Sequence, residues 1–416
     1  MIRLRLPAEW EPQSHVLLTW PHEDTDWAPM LADITETYVE MAASITRFER
    51  LIIATPHPIQ VGALLSSRLT REQMARVYIC HCKTNDTWAR DHGPITLKDD
   101  ATGALTMLDF RFNGWGEKFQ WNLDNRITRT LFEDGAFEPV TPCYLPQRES
   151  GMADATHTED SAVTSQSPNT TYAQEPTKST DLQTPVPSGE GSGAVSVRLS
   201  DHDDFVLEGG SIESDGKGTV FTTEGCLMAP HRNQPLTQDE IEQELRFRLK
   251  ARRIVWLHHG ALKGDDTDGH IDTIVRIAPD DTLLYHKCYD SEDEQYEDFQ
   301  ALEQELMSLR TIDGKPYRLI PLPQPVAIYQ TVTDDDGQET TERLPATYAN
   351  FLIINGAVIV PTYGQPELDD AACNAIRDAF PDREIIPIDS RSIIRQHGSI
   401  HCCTMQIPLP TSIGGN

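Results

Sequence analysis

FLIINGAVIVPTYG, residues Phe351–Gly364, is two runs of apolar, β-favouring residues meeting at Asn355-Gly356. Asn-Gly supplies the left-handed backbone positions of a tight hairpin turn, so the stretch reads as a hairpin. A helix from about Leu368 to Phe380 follows, then a strand near Ile385–Ile388, then the polar loop RQHGSIHCCT at 395–404. The same order of hairpin, helix, strand and polar loop runs from Phe205 to His270. There FVLEGGSIESDGKGTVFTT is the hairpin, Asp239 to Arg252 a charged helix and Arg253–Leu257 the strand. A degraded copy runs from His15 to Asp91. Its helix, Asp33 to Phe48, carries Ile34, Tyr38, Met41, Ala42 and Ile45 at helical spacing, and strands are expected at 13–20, 50–54 and 77–82. Repeated α/β units set about an axis bring equivalent loops to one end. Asp91, His270 and Cys402 occupy those equivalent loops.

Between about Gln147 and Ser196 large apolar residues nearly vanish and Ser, Thr, Gly, Pro and acidic residues dominate. Such a segment buries too little surface to offset its ordering entropy. The expected organisation is therefore a catalytic unit in two parts, 1–146 and 201–416, separated by a loosely ordered insert at 147–200.

Acidic residues number 65 against 35 basic, a formal net charge of −30. That balance repels nucleic acid and anionic membranes and favours a small cationic ligand. No apolar run approaches the roughly 18 residues of a membrane span. The N-terminal MIRLRLPAEWEPQ lacks the apolar core of a secretory signal, so a cytoplasmic location is expected. In a reducing compartment the eight cysteines are expected as free thiols. Cys80-His81-Cys82 has no second pair at zinc-finger spacing, and GSIESDGKG lacks the Lys-Ser/Thr of a phosphate loop. Neither a metal nor an organic cofactor is expected.

The reactive side chains sit where these loops meet the strands. Cys402 follows Gly398-Ser399-Ile400-His401 at a loop-to-strand junction, which suits either a nucleophile or an inert buried thiol. Gly269-His270-Ile271-Asp272 ends an acidic loop; in a strand His270 and Asp272 would share a face, an imidazole beside a carboxylate. Trp88-Ala89-Arg90-Asp91 offers a ring and an acid to a flat cation, or equally a structural Trp and a surface ion pair. Glu208 lies on the expected first strand of a core hairpin, where a carboxylate needs a partner such as His270 or a bound cation. One thiol, one imidazole and several acids point to a substrate whose reacting group is a delocalised cation. A guanidinium fits, held bidentately by carboxylates while a thiolate attacks its carbon.

Taken together, PAEWEPQSHVLLTWP, TNDTWARDHGP, LEGGSI, GDDTDGHID, YANFLIINGAVIVPTY and GSIHC resemble the agmatine deiminases and the related Porphyromonas-type peptidylarginine deiminases of the guanidino-group-modifying superfamily. The resemblance covers most of 7–135 and 204–409. It implies a pentein fold, a five-bladed α/β propeller of ββαβ modules, and commonly a homodimer. It also implies Cys402 as nucleophile, and Asp91 and Asp272 as carboxylates gripping the guanidinium. His270 would be the acid/base, and Glu208 would bind guanidinium and support that histidine. Trp88 would flank the substrate chain, and Asp266 would meet the far ammonium of agmatine. Where agmatine deiminases commonly read HIDN and GGGNIHC, this chain has His270-Ile271-Asp272-Thr273 and His397-Gly398-Ser399-Ile400-His401-Cys402. The implied activity is hydrolysis of agmatine to N-carbamoylputrescine and ammonia. Alternatives are another guanidine substrate, amidino transfer, or silent binding of a guanidine. Cys403, out of phase with Cys402, is expected to face the core.

Overall fold

The computed structural model of the chain describes residues 4–138, 182–183, 196–333 and 337–411, and the fold is mixed α/β. The hairpin at 351–364 forms as Leu352–Ile354 and Ala357–Thr362, with Ile354 paired to Ala357 and Gly356 at φ +75°. Helix Pro366–Ala379 follows. Proline opens it, Glu367 and Asp369 lie in its first turn and Arg377 in its last, an arrangement that complements the helix dipole. It buries Ala372, Ile376 and Ala379 against Glu384–Asp389, which pairs parallel with Ala357–Thr362, and against Arg318–Pro323 of the preceding unit. Ile359 is fully buried; truncation there to alanine would cost about 2–5 kcal/mol.

The same ββαβ connection recurs. Thr219–Thr223 pairs antiparallel with Ile212–Ser214 and parallel with Arg253–Leu257, across helix Gln238–Arg248. Thr282–Lys287 pairs antiparallel with Val275–Ala278 and parallel with Arg318–Pro323, across helix Tyr296–Ser308. Leu105–Arg111 pairs antiparallel with Ile95–Asp99 and parallel with Val197–Val206, with helix Ile127–Glu133 in the connection. In a four-stranded sheet Gln13–Thr19 pairs parallel with Arg50–Thr55 across helix Leu31–Ile45, and Arg50–Thr55 pairs with Val77–His81. Its antiparallel partner comes from the other end of the chain: Thr404–Pro408 lies against Gln13–Thr19, with Leu18 opposite Thr404. That pairing brings the Cys402 turn back to the N-terminal unit.

Three expectations change. Phe205 and Val206 end a strand of the Leu105–Arg111 sheet, so the hairpin before Thr219–Thr223 begins at Ile212 and Glu208 lies in the linker between sheets. His270 and Asp272 are in no strand: His270 precedes a 3-10 turn, Ile271–Thr273. The unit from Val275 to Pro323, which the periodicity reading passed over, is complete. Most of the expected insert lies outside the described residues. However, Val197–Ser200 already belong to a strand, and Leu182–Gln183 pair with its edge.

The units meet on buried charge. Arg276, fully buried, donates to Glu9 Oε2 at 2.6 Å, to Glu213 Oε1 at 2.5 Å and to the carbonyls of Ala349 and Phe351. A guanidinium this deep is tolerable only because each of its three nitrogens finds an oxygen. Among the described residues no helix is long and apolar enough to cross a membrane.

Candidate active site

Cys402 lies in the turn ahead of Thr404–Pro408 and is only 4% exposed. Its amide donates to Asn350 Oδ1 at 3.2 Å, and its carbonyl accepts from the Arg90 amide at 3.1 Å. Those bonds pin the thiol between the C-terminal unit and the Trp88–Asp91 turn. The sulfur stands 3.7 Å from Asp272 Oδ2. Burial, with the Asp272 and Asp91 charges, pushes the Cys402 thiol well above its ordinary range. Cys403 faces the apolar cluster around Tyr38, as its phase implied.

Asp272 is fully buried, and Oδ2 accepts from His401 Nδ1 at 2.7 Å while Oδ1 has no partner. Burial alone would raise its pKa; the His401 hydrogen bond, with the His401, His270 and Arg276 charges, holds it below the usual value. His401 Nε2 meets Glu9 Oε2 at 2.9 Å, so each ring nitrogen stands against a carboxylate. A chain of contacts therefore runs from Arg276 through Glu9 and His401 to Asp272, ending beside the Cys402 sulfur.

Asp91 lies in the short helical turn Ala89–His92. It accepts from Trp115 Nε1 at 2.9 Å and from the Gly210 amide at 3.1 Å. Burial pushes its pKa up to about 6 against the opposing pull of His270, whose Nδ1 is 3.6 Å from Asp91 Oδ1. His270 is fully buried and neither ring nitrogen has a hydrogen-bond partner. Burial would lower its pKa; Asp91, Cys226 and Glu208 together outweigh that and hold it well above the usual value. Glu208, also fully buried, accepts from Arg232 Nε at 3.0 Å through Oε1 and leaves Oε2 unpartnered. The partner expected for Glu208 was His270 or a cation; the structure supplies Arg232, itself tied to Asp268 at 2.7 Å.

Five of the seven candidate residues thus converge: Cys402, His270, Asp91, Glu208 and Asp272. Gly210 measures how tightly. A methyl built on it would stand 2.6 Å from His270 Nδ1, 2.9 Å from Asp91 Oδ1 and 3.1 Å from Asp272 Oδ2. Trp88 lies at the edge of the group, with Gly398 packed so close that a methyl there would fall 2.1 Å from the ring. Asp266 is farther out, its carboxylate partly exposed and 3.5 Å from His397 Nδ1. The sequence reading missed Glu9, Asn350, His401, Arg232 and Cys226 as parts of this site. Glu9, Asn350 and His401 stand inside the quoted motifs, but pairing Glu9 with His401 takes contacts across 392 residues.

The family model of Porphyromonas-type peptidyl-arginine deiminases matches residues 5–408. The chain belongs to that family. It is 30% identical over 419 residues to the agmatine deiminase of Stutzerimonas stutzeri, covering 97% of this chain and 95% of the other. Among solved structures, a putative arginine deiminase from Porphyromonas gingivalis is 41% identical with a TM-score of 0.75, covering 98% of this chain and 99% of that one. A C. jejuni agmatine deiminase with substrate bound is 29% identical with a TM-score of 0.73, covering 98% and 97%.

Proposed function

We propose that this member of the Porphyromonas-type peptidyl-arginine deiminase family is a hydrolase of amidine C–N bonds. Its proposed reaction converts agmatine to N-carbamoylputrescine and ammonia. The observation that carries the reading is the meeting of a thiol, an imidazole and three acids in one buried space, with Cys402 Sγ 3.7 Å from Asp272 Oδ2. Oxygens without partners on Asp272 and Glu208 suit the N–H groups of a planar cation. In this reading the five ββαβ units stand as blades about a common axis, and the site occupies one end of it.

Without a cation beside it, burial and two carboxylates favour the Cys402 thiol over the thiolate. A guanidinium arriving between Asp91 and Asp272 reverses that balance. Its positive charge, with that of His270, favours the thiolate where the nucleophile is needed, and the thiol proton leaves to solvent. Sulfur adds to the guanidinium carbon, His270 gives a proton to the departing nitrogen, and the C–N bond breaks to release ammonia. His270 then takes a proton from water as the water oxygen bonds to the same carbon. The C–S bond breaks as the proton on the added oxygen passes to sulfur, leaving the ureido product and a free Cys402 thiol. Glu208, held by Arg232, keeps its carboxyl group beside the imidazole throughout. Asp266 offers a carboxylate for the primary ammonium at the substrate's other end.

Ammonia and ureido product are to be measured from agmatine, free arginine, a peptidylarginine and agmatine plus an amine acceptor, with Cys402→Ala as the blank. Agmatine should be turned over fastest. A ureido product from peptides alone, an amidino group moved to the amine, or binding without turnover would each overturn the assignment.

A further inference from the structure

One buried thiol near the site has no part in the reaction just described. Cys226 lies in the short helical turn Glu224–Leu227, fully buried, with its amide held by Thr223 Oγ1 at 3.2 Å. Its sulfur, a carboxylate oxygen of Glu208 and a ring nitrogen of His270 all lie within 4.8 Å of one another. We infer that Cys226, Glu208 and His270 form a site for a soft divalent cation of the Zn²⁺ class, and that filling it shuts the enzyme off.

The donor set is one thiolate, one imidazole and one carboxylate, the combination Zn²⁺ takes at bond lengths of about 2.0–2.3 Å. Tetrahedral bonds of that length separate the donors by about 3.4 Å, so the three need close by only about an ångström. Glu208 Oε2 lacks a partner although the side chain is completely buried, and the Cys226 and His270 side chains face each other beside it. Arg232 engages only Glu208 Oε1, and so fixes the carboxylate while leaving the other oxygen to ligate. A second buried trio, Glu9, Glu213 and His401, has similar spacing, but there Arg276 and Asp272 already occupy the donors. The Cys226 site differs in having capacity to spare.

Coordination requires Cys226 as thiolate and His270 unprotonated. An ion bound to His270 removes the proton carrier and lies where the guanidinium must enter, so turnover stops.

The inference does not depend on which guanidine is the substrate, because the test reads metal binding directly. Zn²⁺ is titrated into the metal-free full-length protein by calorimetry, alongside Cys226→Ala, Glu208→Gln and Cys402→Ala. The parent and Cys402→Ala should each bind one equivalent. Cys226→Ala and Glu208→Gln should each weaken binding at least as much as the roughly hundredfold seen when a ligand's outer partner is lost. Whatever turnover Cys226→Ala retains should have lost its sensitivity to Zn²⁺. No binding by the parent, or equal affinity in Cys226→Ala and Glu208→Gln, would overturn the assignment. Loss of the site in Cys402→Ala instead would place the ion on the nucleophile and overturn it equally. Should Cys226→Ala fail to fold, Glu208→Gln and a thiolate-to-metal absorption band of the Co²⁺-loaded Cys402→Ala protein decide the matter.

Discussion

Gly210→Ala should disable the enzyme while leaving it folded. Neither Gly209 nor Gly210 has the positive φ that would bar an alanine, so the effect of each methyl is set by what it meets. At Gly210 it meets three side-chain atoms of the site, the nearest at 2.6 Å, where ordinary contact begins at 3.4 Å. The His270 ring must therefore retreat by about 0.8 Å and Asp91 by about half an ångström, the shortfall of their two distances from 3.4 Å. Displacements near an ångström at reacting groups cost on the order of a hundredfold in rate. A fall in kcat of about 30- to 100-fold is expected, with a stability loss of about 1–3 kcal/mol from overpacking. Gly209→Ala is the contrasting control. Its methyl would lie 2.2 Å from the Arg90 backbone carbonyl, which cannot swing aside as a side chain can, so this change should cost stability first. Steady-state ammonia release and urea midpoints on both variants separate the two effects. A Gly210→Ala enzyme with kcat within about threefold of the parent would refute the proposed tightness of the site.

Other changes probe single links. Cys402→Ser should abolish turnover yet keep guanidine binding in a calorimetric titration; residual turnover above about one part in a thousand would remove the thiol from the reaction. Trp115→Phe keeps the ring but deletes the indole donor to Asp91. That donor favours the ionised carboxylate, so the pKa near 6 should rise by roughly one unit and the acid limb of kcat/KM should move up with it; an unmoved limb would show that Asp91 does not set it. Glu9→Gln should destabilise the protein by about 3–5 kcal/mol at pH 7 by leaving Arg276 a buried charge short. Burial would raise the Glu9 carboxyl, but Arg276 and His401 hold it well below the usual range. Its contribution is therefore present at neutral pH and lost in acid, so the difference in urea midpoint should narrow below about pH 4.

What could be read from the residues was whatever local chemistry specified. The Asn355-Gly356 turn, the amphipathic helices and the turn before Cys402 all carry their geometry in neighbouring side chains, and they stand where the periodicity placed them. The unit from Val275 to Pro323 escaped notice because its hairpin turns on Asp280 and Asp281, at φ +58° and +54°. Aspartate tolerates the left-handed region without the signature of Asn-Gly. The break at Glu208-Gly209-Gly210 was hidden for a related reason. The apolar run from Phe205 continues past it, and only the close approach of Gly209 to Arg90, which is set by tertiary packing, shows where one sheet ends and the next begins. The supporting charges were the least legible. Arg276 reaches Glu9 across 267 residues and Arg232 reaches Glu208 across 24, and no periodicity links either pair. These pairs are also what makes five titratable groups tolerable in one dry space: a buried carboxylate needs a fixed countercharge, and each supporting arginine is itself held by further oxygens. The motif residues name the chemistry, and the distant arginines permit it.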